Sequence, residues 1–242
     1  MRAKKLAVSK FTRGFLVLMA IAMAGLGGLS QLAQALPGDY VWQKAGTQGI
    51  TGDQALWRSI TSSADGTKLA AVVSGGSIYT STDSGATWTE QTAAGSRHWS
   101  SITASADGTK LAAVVSGGSI YTSTDSGATW TEQTAAGSRD WISITASADG
   151  TKLAAVVRNG SIYTSTDSGA TWTEQTAAGS RSWQSITSSA DGTKLAAVVW
   201  GGSIYTSTNS GATWTEQTAA GSRKWHSISA SAEGAKPAGG DS

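Results

Sequence analysis

The chain has 242 residues, 18 Lys/Arg against 16 Asp/Glu, no cysteine, two prolines, 30 glycines and 11 tryptophans. No disulfide is open to it, and a net charge of +2 offers no nucleic-acid footprint. Scarce proline with abundant glycine, serine, threonine and tryptophan points to an all-β domain with tight turns.

Residues 1–35 read as a secretory signal peptide. Arg2, Lys4, Lys5, Lys10 and Arg13 form the positive end, and Phe15 to Leu29 form the apolar run. Ala33-Gln34-Ala35 is an A-x-A site just before Leu36-Pro37, so cleavage is expected after Ala35. The run is shorter than the roughly 20 residues that a spanning helix needs. No cysteine follows it for a lipid anchor, and it carries no Arg-Arg pair. The expected location is secreted or periplasmic, with no membrane association after cleavage. The leader holds five basic and no acidic residues, which leaves 13 basic against 16 acidic and a net charge of −3.

Residues 36–56 form an N-terminal segment. Within it, Val41-Trp42-Gln43-Lys44-Ala45-Gly46 resembles one strand of the repeat that follows. Trp57, Trp99, Trp141, Trp183 and Trp225 then recur every 42 residues. They mark four complete units over residues 57–224 and a partial one over 225–242. Only six of the 42 columns differ among the complete units. A period of about 40–45 residues suits a four-stranded propeller blade.

The second unit parses as strand A over 100–105, B over 110–115, C over 119–124 and D over 128–134. Val, Ile, Tyr, Thr and Trp fill the strands, and a glycine lies in every connection. Strand B, Leu111-Ala112-Ala113-Val114-Val115, is apolar on both faces. That fits a sheet packed between neighbouring sheets rather than one face of a sandwich. The predicted fold is an all-β propeller of four blades plus part of a fifth, either open or completed by oligomerisation.

Ser81-Thr82-Asp83-Ser84-Gly85-Ala86-Thr87-Trp88 recurs at Ser123–Trp130, Ser165–Trp172 and Ser207–Trp214. This S-x-D-x-G-x-T-W pattern resembles the Asp-box, or bacterial neuraminidase (BNR), repeat. Asp-box propellers include sialidases, sortilin-type receptor domains and photosystem II assembly factors, and the resemblance spans residues 57–224. The motif has a physical role as a turn. The carboxylates of Asp83, Asp125 and Asp167 are expected to accept backbone N–H groups. Gly85, Gly127, Gly169 and Gly211 are expected to take a backbone conformation closed to other residues. Trp88, Trp130, Trp172 and Trp214 are expected to pack at the start of strand D. Asn209 replaces the Asp in the fourth copy. It keeps the acceptor oxygen but cannot act as a general acid.

By resemblance, a sialidase needs an arginine cluster, a Tyr/Glu nucleophile pair and an acidic proton donor drawn from unlike blades. Here Tyr79, Tyr121, Tyr163 and Tyr205 are equivalent positions, as are Glu90, Glu132, Glu174 and Glu216. Arg97, Arg139, Arg181 and Arg223 form a further equivalent set, and by resemblance could weakly mimic the arginine-rich patch of the assembly factors. Catalysis needs unlike groups converging on one bond. The sequence therefore predicts no catalytic residues, no metal and no cofactor. His98 and His226 are isolated and lack a second ligand at useful spacing.

The columns that change strongly point elsewhere, the remaining changes being mild: Ser or Ala at 62, 104, 146 and 188, and Asn for Asp at 209. Leu56, His98, Asp140, Ser182 and Lys224 precede the repeat tryptophans, and Arg58, Ser100, Ile142, Gln184 and His226 follow them. The B–C turn begins Ser74-Gly75, Ser116-Gly117, Arg158-Asn159 and Trp200-Gly201. Antiparallel strands put B–C turns and D–A connections on one face and A–B turns and Asp boxes on the other. Residues 98 and 100 flank Trp99 and are expected to point to one side of the strand, opposite the indole. The alternatives are drift at exposed positions or a recognition face diversified on a fixed scaffold. Drift should also touch the Asp-box face, which is almost constant. The expected partner is a protein or glycan bound by the diversified face, with Trp200 as the first contact anchor.

At the C-terminus, Ala232-Glu233-Gly234-Ala235-Lys236-Pro237 starts like the A–B turn and then departs, with Pro237 in place of the first Leu of strand B. This predicts strand A from the back of the chain and strand D from the front, with neither B nor C between them. Such an array reads as a truncated or frame-shifted product of a longer one. The rival readings are four blades closing alone or two chains completing a ring. Sequencing the DNA beyond the stop codon should reveal further repeat in some frame; finding none would sink the truncation reading.

Overall fold

In a computed structural model, the described residues are 55–234 and 238–241. The stretch expected to be a signal peptide, most of the N-terminal segment with Trp42, and Pro237 lie outside them. The first sheet comprises β1 (Trp57–Ser62), β2 (Leu69–Gly76), β3 (Ile78–Ser81) and β4 (Thr89–Gln91). The second comprises β5 (Arg97–Ala104), β6 (Leu111–Gly118), β7 (Ile120–Ser123) and β8 (Thr131–Gln133). β9 (Arg139–Ala146), β10 (Leu153–Gly160), β11 (Ile162–Ser165) and β12 (Thr173–Gln175) make the third. The fourth holds β13 (Arg181–Ser188), β14 (Leu195–Gly202), β15 (Ile204–Ser207) and β16 (Thr215–Gln217), and β17 (Arg223–Ser229) and β18 (Ala238–Asp241) follow.

Within each complete sheet the strands pair antiparallel in chain order A-B-C-D, with Leu111 opposite Ser123 and Tyr121 opposite Glu132 in the second. The A strands β1, β5, β9, β13 and β17 lie side by side around one concavity of about 1070 Å³. Radial repetition of four-stranded antiparallel sheets about a shared centre defines a β-propeller.

Sheet-to-sheet packing explains the doubly apolar B strand. Ala70, Val72, Ile78 and Ala94 of the first unit pack against Trp99, Ile102, Leu111, Ala113 and Tyr121 of the second. The same arrangement recurs at the next two seams. Trp99, Trp141 and Trp183 are fully buried. Trp99 meets Tyr121 edge-on at 5.3 Å and Trp130 at 6.4 Å, within the range favoured by aromatic pairs. Hydrogen bonds stitch the same seams. The Ala64 N–H donates to the Ala106 carbonyl, Ala106 to Ala148, Ala148 to Ala190, and Ala190 to Ala232, each at 2.7 Å.

Strands A, B and D each differ from the sequence reading by three residues at one end. Strand A begins at Arg97 and strand B runs to Gly118, because the B–C hairpin of each sheet pairs with the next A strand. Ser74 lies opposite His98, Gly76 opposite Arg97, Ser116 opposite Asp140 and Gly118 opposite Arg139. Strand D shrinks to three residues. Asp125 holds the Thr129 N–H in the preceding turn, and Thr134–Ala136 coil into a 3-10 turn. The fifth unit is also corrected, since β18 pairs with β17 in the place of strand B, with Ser229 opposite Ala238 and Trp225 opposite Asp241. Ladder pairing uses backbone groups, which Ala238-Gly239-Gly240-Asp241 supply without the apolar side chains of the earlier copies.

Among the described residues no sheet precedes Trp57, which is only half-buried, unlike Trp141. Trp141→Ala should therefore cost about 3–5 kcal/mol. Trp57→Ala should cost clearly less, both measured by urea unfolding followed in the far ultraviolet. Equal losses would contradict this packing.

Candidate recognition face

The two turn families sit on opposite faces and are built differently. In the Ser81–Trp88 turn, Asp83 Oδ1 accepts from Ser81 Oγ at 2.7 Å and from the Thr87 N–H at 2.9 Å, while Oδ2 accepts from Thr87 Oγ1 at 2.6 Å. The Gly85 N–H donates to Ser81 Oγ at 2.9 Å, and Trp88 Nε1–H donates to the Gly85 carbonyl at 3.1 Å. Ser84 and Gly85 both have positive φ, 60° and 88°. At Gly85 a Cβ would also lie 3.1 Å from Leu69 Cδ1. Asp125 and Asp167 repeat the pattern. Asn209 keeps it too, accepting from the Thr213 N–H at 2.9 Å and donating through Nδ2 to Thr213 Oγ1 at 2.9 Å.

A second set of aspartates holds the A–B turns. Asp65 Oδ1 accepts from Ser63 Oγ at 2.5 Å and from the Thr67 N–H at 3.0 Å. Asp107, Asp149 and Asp191 do the same. The Ser-Ala-Asp-Gly-Thr spelling of this turn carried the signal, although the sequence reading gave these aspartates no role. The Ser84 N–H donates to the Thr67 carbonyl at 2.9 Å, so both turns belong to one face. Hydrogen bonds from Thr87 and Ser81 hold Asp83 down at about 2, and the equivalent bonds do the same for Asp125 and Asp167.

The strongly varied columns come together on the other face, and they touch one another. The residue opening each B–C turn lies opposite the residue preceding the next repeat tryptophan, as in Arg158 opposite Ser182 and Trp200 opposite Lys224. Ser116 Oγ donates to Asp140 Oδ1 at 2.6 Å, and Asp140 Oδ2 lies 3.3 Å from Arg158 Nε. Trp200 meets the His226 ring edge-on at 4.6 Å, with Lys224 Nζ 5.9 Å from its centroid. Leu56 and Trp200 are the large hydrophobic side chains left exposed among the described residues, at 63% and 37%.

Arg58, Ser100, Ile142, Gln184 and His226 line the central concavity, and His98 and Arg158 reach it from the rim. Leu56, Asp140, Asn159, Ser182, Trp200 and Lys224 do not line it. Simple alternation is not what places Ser100. A bulge follows the tryptophan, with Trp99 opposite Val115 and Ser101 opposite Val114, so residue 100 is the unpaired extra residue. Ser100 Oγ donates to the Trp141 carbonyl at 2.7 Å. Asn159 has φ 52°, in a column that is otherwise glycine, and Asn is among the residues that tolerate this region.

The sequence reading missed the constant serines of the wall. Ser59, Ser101, Ser143, Ser185 and Ser227 line the concavity. Ser59 Oγ accepts the Ile102 N–H at 3.3 Å, and Ser101, Ser143 and Ser185 accept the equivalent amides. Their signal was invisible because the column does not vary. The arginine set is engaged structurally. Arg97 lies 4.5 Å from the Tyr121 ring centroid and donates through Nε to the Ala94 carbonyl at 2.9 Å, and Arg139 and Arg181 repeat this.

The chain is a β-propeller. No protein-family model matches it, and no curated protein does. Among solved structures it is similar to a GH74 enzyme of Niastella koreensis, with 26% identity and a TM-score of 0.58 over 73% of this chain and 26% of that one. It is also similar to YCF48 bound to a D1 peptide (19% identity, TM-score 0.56, 73% of this chain and 57% of that one). A chain of a nidogen–laminin complex matches at 14% identity and a TM-score of 0.65, over 77% of this chain and 72% of that one. The chain thus spans about a quarter of the GH74 enzyme and under three fifths of YCF48.

The carboxylates of Asp83, Asp125 and Asp167 are depressed on folding from the usual value near 4. Their contribution is therefore fully present above about pH 4 and lost as pH falls towards 2. The thermal midpoint should hold steady down to about pH 5 and fall between about pH 4 and 2. Asp125→Asn should lessen that fall by its share while keeping the turn, as Asn209 does. A midpoint unchanged between pH 4 and 2 would contradict the turn chemistry.

Proposed function

We propose that the protein is an exported, non-enzymatic propeller that binds a protein or glycan partner through its B–C/D–A face. The carrying observation is that the strongly varied columns, which lie on different sheets, pair directly with one another around the mouth of one concavity. A surface in which serine, histidine, aspartate, arginine, tryptophan and lysine occupy equivalent places on a constant backbone is suited to asymmetric recognition. Similar propellers occur in structures with a D1 peptide and in a nidogen–laminin complex, which agrees with binding as a use of this fold.

The likeness to GH74 enzymes motivates a second reading, glycoside hydrolysis. That chemistry needs two carboxyl groups flanking the bond, one kept protonated at working pH. The residues lining the concavity include no Asp or Glu among those described. Hydrogen bonds hold the turn carboxylates low, and burial pushes the Tyr121, Tyr163 and Tyr205 phenols up, away from nucleophilic use. These observations favour binding.

A fluorogenic sialoside and a fluorogenic β-glucan oligosaccharide should both remain uncleaved. On a glycan array and in a pull-down, Trp200→Ala and Arg158→Ala should weaken capture, whereas Thr124→Ala on the opposite face should not. Turnover of either substrate, or loss of capture with Thr124→Ala alone, would overturn the proposal.

A further inference from the structure

We infer that the mouth of the concavity binds an anionic glycan, a polyhydroxylated chain carrying uronate or sulfate groups. The inference rests on the recognition-face reading and names the ligand class for it.

Charge is unequal between the two faces: the B–C/D–A end sets six arginines and Lys224 against Glu90, Glu132, Glu174, Glu216 and Asp140. Every arginine among the described residues lies at the B–C/D–A end: Arg158 in a B–C turn, Arg97, Arg139, Arg181 and Arg223 where strand A starts, and Arg58 just after Trp57. The outer arginines stack on aromatic rings, and Arg97 acts on Glu132 nearby. At the mouth itself stand Arg58, Arg158 and Lys224, with Asp140 as the carboxylate paired to Arg158. The opposite face carries Asp65, Asp107, Asp149 and Asp191 together with Asp83, Asp125 and Asp167, against Lys68, Lys110, Lys152 and Lys194. Hydrogen bonding keeps those carboxylates ionised. A polyanion is repelled from that face and drawn to the arginine face, where planar guanidinium groups match carboxylate and sulfate oxygens.

Two further features favour a sugar chain over an acidic peptide. First, the wall carries one constant serine hydroxyl per sheet. An oxygen that accepts an amide, as in Ser59, Ser101, Ser143 and Ser185, still has its proton to donate. This gives a row of donors at blade spacing inside a concavity without carboxylates among its lining residues. Second, Trp200 is exposed at the rim, with Lys224 over its ring and His226 beside it. An amphipathic indole next to a cation offers an apolar surface for a sugar ring and a charge for its acid group. An acidic peptide satisfies the arginines but offers the hydroxyl row fewer acceptor oxygens than a polyhydroxylated chain and brings no sugar ring to the indole. At about 1070 Å³, the concavity exceeds the roughly 300–1,000 Å³ of ordinary small-ligand pockets and admits several linked sugars.

The test is calorimetric titration of the protein with polygalacturonate, dextran sulfate, neutral dextran and poly-L-glutamate. At least one acidic polysaccharide should bind roughly tenfold or more tightly than dextran and poly-L-glutamate, and should weaken as salt rises. Binding of polygalacturonate alone assigns a carboxylate ligand, of dextran sulfate alone a sulfate ligand, and of both a general anion site; all three support the inference. Trp200→Ala should lower acidic-glycan affinity about tenfold, Arg58→Gln should lower it severalfold, and Asp107→Asn should leave it unchanged. Equal binding of poly-L-glutamate would overturn the glycan class, and equal binding of dextran would overturn the role of charge. Binding of neither acidic polysaccharide would overturn the inference and leave the recognition-face reading to its own capture experiment.

Discussion

The constraint on which everything else depends is the burial of a repeat tryptophan at each seam, between its own sheet and the one before it. Trp99, Trp141 and Trp183 are each closed in by the Ala/Val/Ile surface of the preceding unit. Each B strand therefore serves two interfaces, one through Leu111, Ala113 and Val115 and the other through Ala112 and Val114. A change at any of these positions disturbs a seam as well as a sheet, because interiors are close-packed. A solenoid-like array of this kind draws its stability from such neighbour interfaces.

The same constraint leaves freedom only where side chains escape the seams. The B–C hairpin is held to the next A strand by backbone pairing and by constant serines such as Ser96, whose Oγ donates to the Gly75 carbonyl at 3.0 Å. Side chains at 74, 98 and their equivalents can change without loosening that joint. The bulge after each tryptophan turns the following residue into the concavity, adding a second variable column, although Ser100 and Ile142 still touch a neighbouring sheet. The opposite face has no such freedom. Its aspartates, serines and threonines are occupied in holding turns, and its backbone ladder ties every sheet to the next. Under the proposed reading, rigidity on one face is what permits diversity on the other.

Much of this was legible in the sequence. The 42-residue spacing of tryptophans, the doubly apolar B strand and the placement of turns gave the propeller. The substitution of Asn209 showed that an acceptor oxygen, not an acid, is what the turn requires, and the geometry around Thr213 agrees. Other features depend on contacts between units that are remote in sequence. The lengthened A and B strands arise from pairing across the seam, which no single-unit pattern reveals. The bulge at Ser100 and its equivalents breaks the alternation on which a strand reading relies. The wall serines were hidden by their constancy, since comparison of copies detects only change. The pairing of β18 was obscured by Pro237 and the loss of apolar side chains, although the backbone that makes the ladder was present throughout.

The most direct test of the account is to remove the diversity and keep the scaffold. A chain in which the columns before and after each repeat tryptophan and at the start of each B–C turn are set to those of the second unit keeps the buried repeat tryptophans, the B strands and both sets of turn hydrogen bonds. It should melt at the same temperature as the native chain and lose the native capture profile on a glycan array and in pull-downs. Retention of the full profile by that symmetric chain would contradict the claim that the varied B–C/D–A face carries recognition.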